Sequence, residues 1–119
     1  MRAWQSAAAA AAMVLAFQAP AQADIEVENQ ASVPVYVEFS TYAEPGSVAM
    51  AVMCGSVGVA SGGKAIVPKP AVCTDKATLR ATGPRRPTGA PAECRTEGVA
   101  WSDGRMVVTG TLHSLVCAQ

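Results

Sequence analysis

CRTEGVAWSDGRMVVTGTLHSLVC, residues 94–117, consists of two extended arms meeting at Asp103-Gly104. Asp-Gly suits a type I′ turn, in which both central residues take φ > 0 and the twist matches that of paired strands, so the segment is predicted to be a β-hairpin. A two-residue loop sets Trp101 opposite Met106 and Val99 opposite Val108, on one face. Alternation along the return arm adds Gly110, Leu112 and Val116 to that apolar face. The other face carries Cys94, Thr96, Val107, Thr109, Thr111, His113, Leu115 and Cys117. An apolar side and a more polar side ending in two cysteines suggest a sheet that covers a core and is tied by disulfides.

Outward from this segment, the start of the chain looks like an export signal. Arg2 supplies the positive end, Ala7 to Phe17 is an apolar run, and Ala21-Gln22-Ala23 is a small-x-small cleavage site before Asp24. That run is too short for a membrane anchor, which needs about 20 apolar residues to cross a ~30 Å hydrocarbon core. The expected organisation is a signal peptide over 1–23, removed on export, and one domain over 24–119, with no membrane span after cleavage and a periplasmic or secreted location. All four cysteines, Cys54, Cys73, Cys94 and Cys117, lie in the mature part and meet an oxidising compartment. A zinc site would use short C-x-x-C pairs, which are absent, so two bridges are expected.

Residues 24–28 alternate Ile25 and Val27 with acids, and 33–39 alternate Val33, Val35, Val37 and Phe39 with Pro34, Tyr36 and Glu38. For the two apolar sets to share a face, the connection between them must hold an odd number of residues, three or five. Pro34 donates no N–H, which points to a sheet edge or a bulged entry for the second strand. Glu44-Pro45-Gly46 is a turn expected to cross between sheets. Val48 to Val59 is apolar on both sides and suggests a strand buried on two faces. Ser61-Gly62-Gly63-Lys64 is expected to close a hairpin that brings Cys54 near Cys73, with a bulge near Pro68 or Pro70 closing a diagonal gap. Cys54–Cys73 is then the first bridge and Cys94–Cys117 follows by elimination. The second pair lies four positions out of register on the hairpin, so the chain must bend or bulge before Cys117.

Ala77, Leu79 and Ala81 alternate with Lys76, Thr78, Arg80 and Thr82, a strand with one wet face. Gly83 to Pro91 holds three prolines and two glycines and cannot keep a ladder. About seven short strands with regular turn signals indicate an all-β chain, a small antiparallel β-sandwich of immunoglobulin-like or jelly-roll-like kind with two disulfides. The opening pattern over 24–39 is similar to the starts of several exported β-sandwich families, including thaumatin-like proteins; no site motif comes with that likeness.

Charge is unevenly placed. Removal of Arg2 leaves eight bases against nine acids, but Asp24 to Gly62 holds five acids and no Lys or Arg, whereas Gly63 to Gln119 holds eight bases and four acids. Acidic and basic strands meeting across a sheet or sandwich explain this; the alternative is a two-faced surface that steers a charged partner.

The sequence places no catalytic constellation. His113 is the single histidine, which excludes a blue-copper site of two His and one Cys, and His113 is expected on a sheet face. Neither a nucleophile elbow nor a zinc-protease helix motif occurs, so the chain is expected not to be an enzyme and to need no cofactor. Arg85 and Arg86 on the Pro-rich loop are the candidate binding residues, since paired guanidiniums suit carboxylate or phosphate partners. Scarce aromatics and a slightly negative mature charge exclude nucleic acid. The function expected is a binding or accessory protein that recognises another envelope or extracellular protein through that loop or an edge strand near Pro34. One alternative is a copper carrier using Met50, Met53, Met106 and His113. The other is an inhibitor of an exported enzyme, with Glu26, Glu28 and Glu38 as the contact for a basic target.

Overall fold

The computed structural model describes residues 24–46, 50–102 and 104–119; the expected signal peptide over 1–23 lies outside them. Alternating apolar residues build eight strands: β1 (Asp24–Asn29), β2 (Val35–Thr41), β3 (Met53–Val59), β4 (Lys64–Pro68), β5 (Lys76–Thr82), β6 (Glu93–Ala100), β7 (Gly104–Gly110) and β8 (Leu115–Ala118). They form two four-stranded sheets, one ordered β4-β1-β7-β8 and the other β3-β2-β5-β6. The all-β sandwich with two disulfides is as the sequence predicts, with one strand more than expected. Its one departure from an antiparallel arrangement is β1, which pairs with β7 in parallel.

Period-two alternation supplies the core. Ile25 and Val27 of β1 with Met106 and Val108 of β7 face Val35, Val37 and Phe39 of β2 and Ala77, Leu79 and Ala81 of β5, all buried. Trp101 is wedged between the sheets, its ring stacked on Phe39 with centroids 5.7 Å apart. Its position is held by a hydrogen bond from its backbone N–H to the Asp75 carbonyl at 3.1 Å.

Two turns that the sequence presents as hairpins, and the link between the first two strands, are corners that carry the chain from one sheet to the other. Residues 101–103 connect β6 to β7, residues 30–34 connect β1 to β2, and residues 60–63 connect β3 to β4, and in each case the two strands lie in different sheets. Turn chemistry fixes local dihedrals but not whether the arms pair, which is why the hairpin expectation fails there. Val99, Trp101, Met106 and Val108 are nevertheless all buried, because arms in opposite sheets must also point their apolar residues inward. Gly104 is required at its corner: a Cβ there would run into the Ala100 carbonyl oxygen and lie 2.9 Å from Ile25 Cγ1. The five-residue link 30–34 satisfies the expected parity for the same reason.

Other expectations change with the topology. Pro34 precedes β2, and β2 has neighbours on both sides, so Pro34 does not mark an edge. β2 and β3 pair within one sheet, so the chain does not cross at Glu44-Pro45-Gly46. β3 is an edge strand with an exposed Met53 rather than a strand buried on both faces; Val48 lies outside the described residues.

Bulges and a turn explain how the cysteines meet. In β6, Val99 pairs with Ala77 and Thr96 with Leu79, leaving Glu97 and Gly98 opposite Thr78. Gly98 takes φ +69°, a conformation that side-chain-bearing residues rarely adopt. This bulge inverts the alternation, so Thr96 is buried and Cys94 packs against the core. After β7 the chain reverses at 111–114, with the Thr111 N–H bonded to the Ser114 carbonyl at 2.8 Å. β8 then returns with Leu115 opposite Gly110 and Cys117 opposite Val108. Leu115 is buried and Val116 exposed, the reverse of what one unbroken arm gives, and His113 is exposed in the turn rather than on a sheet face. In β3, the pairs Phe39–Gly55 and Ser40–Met53 leave Cys54 unopposed, so the bulge that serves the first bridge is at Cys54 and not near Pro68 or Pro70.

Cys54 bonds Cys73 and Cys94 bonds Cys117. The first ties β3 to the connection between β4 and β5, and the second ties β6 of one sheet to β8 of the other, so only the second joins strands of the two sheets directly. By the chain-entropy relation each contributes about 3 kcal/mol.

Asn29 is fully buried at the end of β1. Its Nδ2 donates to the carbonyls of Val33 at 2.9 Å and Val59 at 3.0 Å, and its Oδ1 accepts from the Ala31 N–H at 2.9 Å. Its backbone bonds both ways with the next corner, N–H to the Gly63 carbonyl and carbonyl from the Gly62 N–H. One side chain thus satisfies backbone groups of two corners at once. Asn29→Ala is expected to lower stability by about 2–4 kcal/mol, because it strands buried carbonyls, and the loss should appear as a lower urea midpoint with an unchanged slope.

Candidate functional site

The loop bearing Arg85 and Arg86 springs from the β5–β6 pair, closed at its base by the Gly83 N–H bonded to the Ala92 carbonyl at 2.8 Å. Arg86 Nε donates to the Ala90 carbonyl at 2.8 Å, and its guanidinium lies against Gly89, which takes φ +79°. Arg86 therefore holds its own loop together, while Arg85 is exposed. The two neighbours in sequence thus differ in surroundings, with Arg86 Nε bonded within the loop and Arg85 open to solvent.

The acidic and basic halves of the chain meet across strands, as the charge distribution predicts. Lys64 of β4 lies 3.8 Å from Glu26 and 3.4 Å from Glu28 of β1, and Arg105 of β7 lies 3.0 Å from Glu28 on the other side. In the second sheet Arg80 of β5 bonds Glu38 of β2 at 2.6 Å. The Glu28 carboxyl is held below its ordinary value, first by the Gln30 amide and then by Lys64 and Arg105, against an opposing effect of desolvation.

The outer face of the β3-β2-β5-β6 sheet is a polar lattice. Ser56, Glu38, Arg80 and Arg95 occupy one rung across all four strands, since each pairs with the next. Beside it Tyr36 donates its hydroxyl to Ser56 Oγ at 2.6 Å. A groove of ≈ 440 Å³ opens over this face, with Glu38, Ser40, Thr78, Arg80, Arg95 and Glu97 beneath and Tyr42 and Met53 at its side. Two acids and two bases make it electrically balanced, and Arg95 has only a loose contact with Glu97 at 3.9 Å.

The four edge strands differ in how they are guarded. β4 carries Lys64 and Pro68, β6 carries Glu93, Arg95 and Glu97, and β8 is only four residues long. Charges, proline and brevity are usual means of discouraging strand addition, as is a bulge of the kind β3 has at Cys54 near its start. β3, MCGSVGV, has neither charge nor proline over its seven residues. Met50, Val52 and Met53 are exposed at its leading end. The sequence singles out Met50 and Met53 only as possible copper ligands and not as part of an apolar edge, although that signal is there: no charged residue or histidine occurs between Pro45 and Gly63.

The soft-metal set is not gathered by the fold. Met106 has no exposure, lying in the core opposite Val27, while His113 sits in the exposed 111–114 turn and Met50 and Met53 are on the surface by β3. Among the described residues no group of three or more His, Cys, Asp or Glu is placed to hold a metal ion. No helix among them is long and apolar enough to cross a membrane. In comparisons with known proteins, the chain matches no family model and no curated protein sequence.

Two outcomes follow from this surface. Because the Glu28 carboxyl is lowered from 4.5 on folding, its charge stabilises the fold above that pH, and the contribution disappears as pH falls through the lower folded value. Acid titration of stability should therefore be shallower for Glu28→Gln than for the unsubstituted protein below pH 4.5, the two curves converging in strong acid. Arg86→Ala should expose the loop to limited proteolysis within 84–91 while Arg85→Ala should not, because only Arg86 bonds the loop backbone.

Proposed function

We propose that the domain is a non-enzymatic binding or accessory protein of the periplasm or the extracellular space, and that it recognises another exported protein through the β3 edge. What carries this reading is the absence of charge and proline from β3 beside the exposed Met50, Val52 and Met53. An extended partner segment would gain main-chain hydrogen bonds from the free side of β3 and apolar contact from these side chains. Two disulfides suit the oxidising compartment this reading needs. The other candidate contact, the 83–91 loop, is favoured less because Arg86 is already committed to Ala90.

Capture from envelope extract under non-reducing conditions, with the exported protein as bait, tests the choice of surface. Val52→Lys combined with Met53→Lys is expected to cut recovery of the specific partner by at least about tenfold, since charge on an edge strand opposes strand addition. Arg85→Ala combined with Arg86→Ala should leave recovery unchanged. The opposite pattern would move the contact to the loop, and no specific partner for any form would sink the binding reading.

A further inference from the structure

The methionines of the domain fall into two environments. Met50 and Met53 are 87% and 55% exposed at the leading end of β3, whereas Met106 is 0% exposed and packed between the sheets. A thioether is a soft nucleophile whose oxidation depends on whether the oxidant can reach it, and the product sulfoxide is polar where the thioether was apolar. We propose that Met50 and Met53 form an oxidation site for peroxides, whose reaction turns the apolar flank of β3 polar and leaves the core intact.

The chemistry balances with the oxidant as the one co-reactant. The methionine sulfur attacks one peroxide oxygen, an S–O bond forms as the O–O bond breaks, sulfur loses two electrons, and hydrogen peroxide leaves as water. The surroundings accept the product. Met53 borders the groove that carries the hydroxyls of Ser40, Thr41 and Thr78 and the guanidiniums of Arg80 and Arg95, all donors suited to a sulfoxide oxygen. Met50 precedes β3 and takes no part in its ladder, so a polar group there breaks no strand pairing. Val52, 52% exposed between them, cannot be oxidised in this way and stays apolar, so the change in the patch comes from the two sulfurs that flank it. The consequence for a partner rests on β3 being the contact surface; the selectivity of the reaction does not.

The experiment treats the exported protein with hydrogen peroxide and follows each methionine by peptide mass spectrometry. Met50 and Met53 are expected to oxidise at least about tenfold faster than Met106, a difference that vanishes in urea. Retention on a phenyl resin should fall on oxidation of the unsubstituted protein. The Met50→Leu, Met53→Leu double variant, compared with itself before and after peroxide, should not shift. Equal oxidation of Met106 in the folded protein, or unchanged retention, would overturn the proposal. Oxidised protein that recovers its partner from envelope extract as well as before would overturn the effect on binding while leaving β3 as the contact. Failure of the unoxidised protein to capture any partner would count against the binding reading alone, with the resin and mass spectrometry still deciding this one.

Discussion

The Asn29 carboxamide is the contact on which the two-sheet arrangement depends. Every passage of the chain between sheets interrupts a ladder and leaves backbone groups without strand partners, and a buried carbonyl in that position costs free energy unless something replaces the lost bond. Asn29 replaces several at one end of the sandwich: its amide donates to the carbonyls of Val59, where β3 ends, and Val33, shortly before β2 begins, and its oxygen accepts from the N–H of Ala31 in the same corner as Val33. A carboxamide is the smallest side chain with two donors and an acceptor, and it is spent here with no exposure to solvent. The disulfides act at the sides of the sandwich and constrain the unfolded chain, whereas Asn29 acts at its end and fixes the folded path.

With the corners fixed, charge and bridging divide the surface into guarded and open regions. Acidic β1 sits between Lys64 and Arg105, and acidic β2 meets Arg80, so the early acids of the chain are matched by later bases inside the same sheets. That matching takes up charge which would be free to steer a partner if left unpaired. Beside these pairs the β3 flank is apolar, and the proposed function follows from that contrast rather than from any catalytic group.

Much of this architecture was legible in the sequence because alternation is a strong signal. The inward residues of β1, β2 and β5 are those the pattern names, and both disulfides join the expected cysteines. What the sequence hid was pairing. Asp103-Gly104 and Gly62-Gly63 have the residues of hairpin turns, yet such residues also serve corners, and only the rest of the fold decides between them. Parity was lost in two further places: at Gly98, where a bulge inverts β6, and at 111–114, where a reversal mistaken for continuous strand inverts β8. The Arg85-Arg86 pair was conspicuous for its charge, while the β3 flank was inconspicuous because its signal is an absence of charge.

The parallel union of β1 with β7 has a consequence for how the molecule must assemble. Ile25 lies beside Gly104, so β1 lacks one of its two ladder neighbours until β7 pairs with it, and β8 cannot dock until β7 is in place. Contacts so distant along the chain form late, since the entropy of closing the intervening loop must be met before they reward it. The β2-β3 and β5-β6 units can pair locally in the meantime. Until β7 pairs, β1 has only β4 beside it, so the β4-β1-β7-β8 sheet is the later of the two to close whichever end of the chain begins to fold.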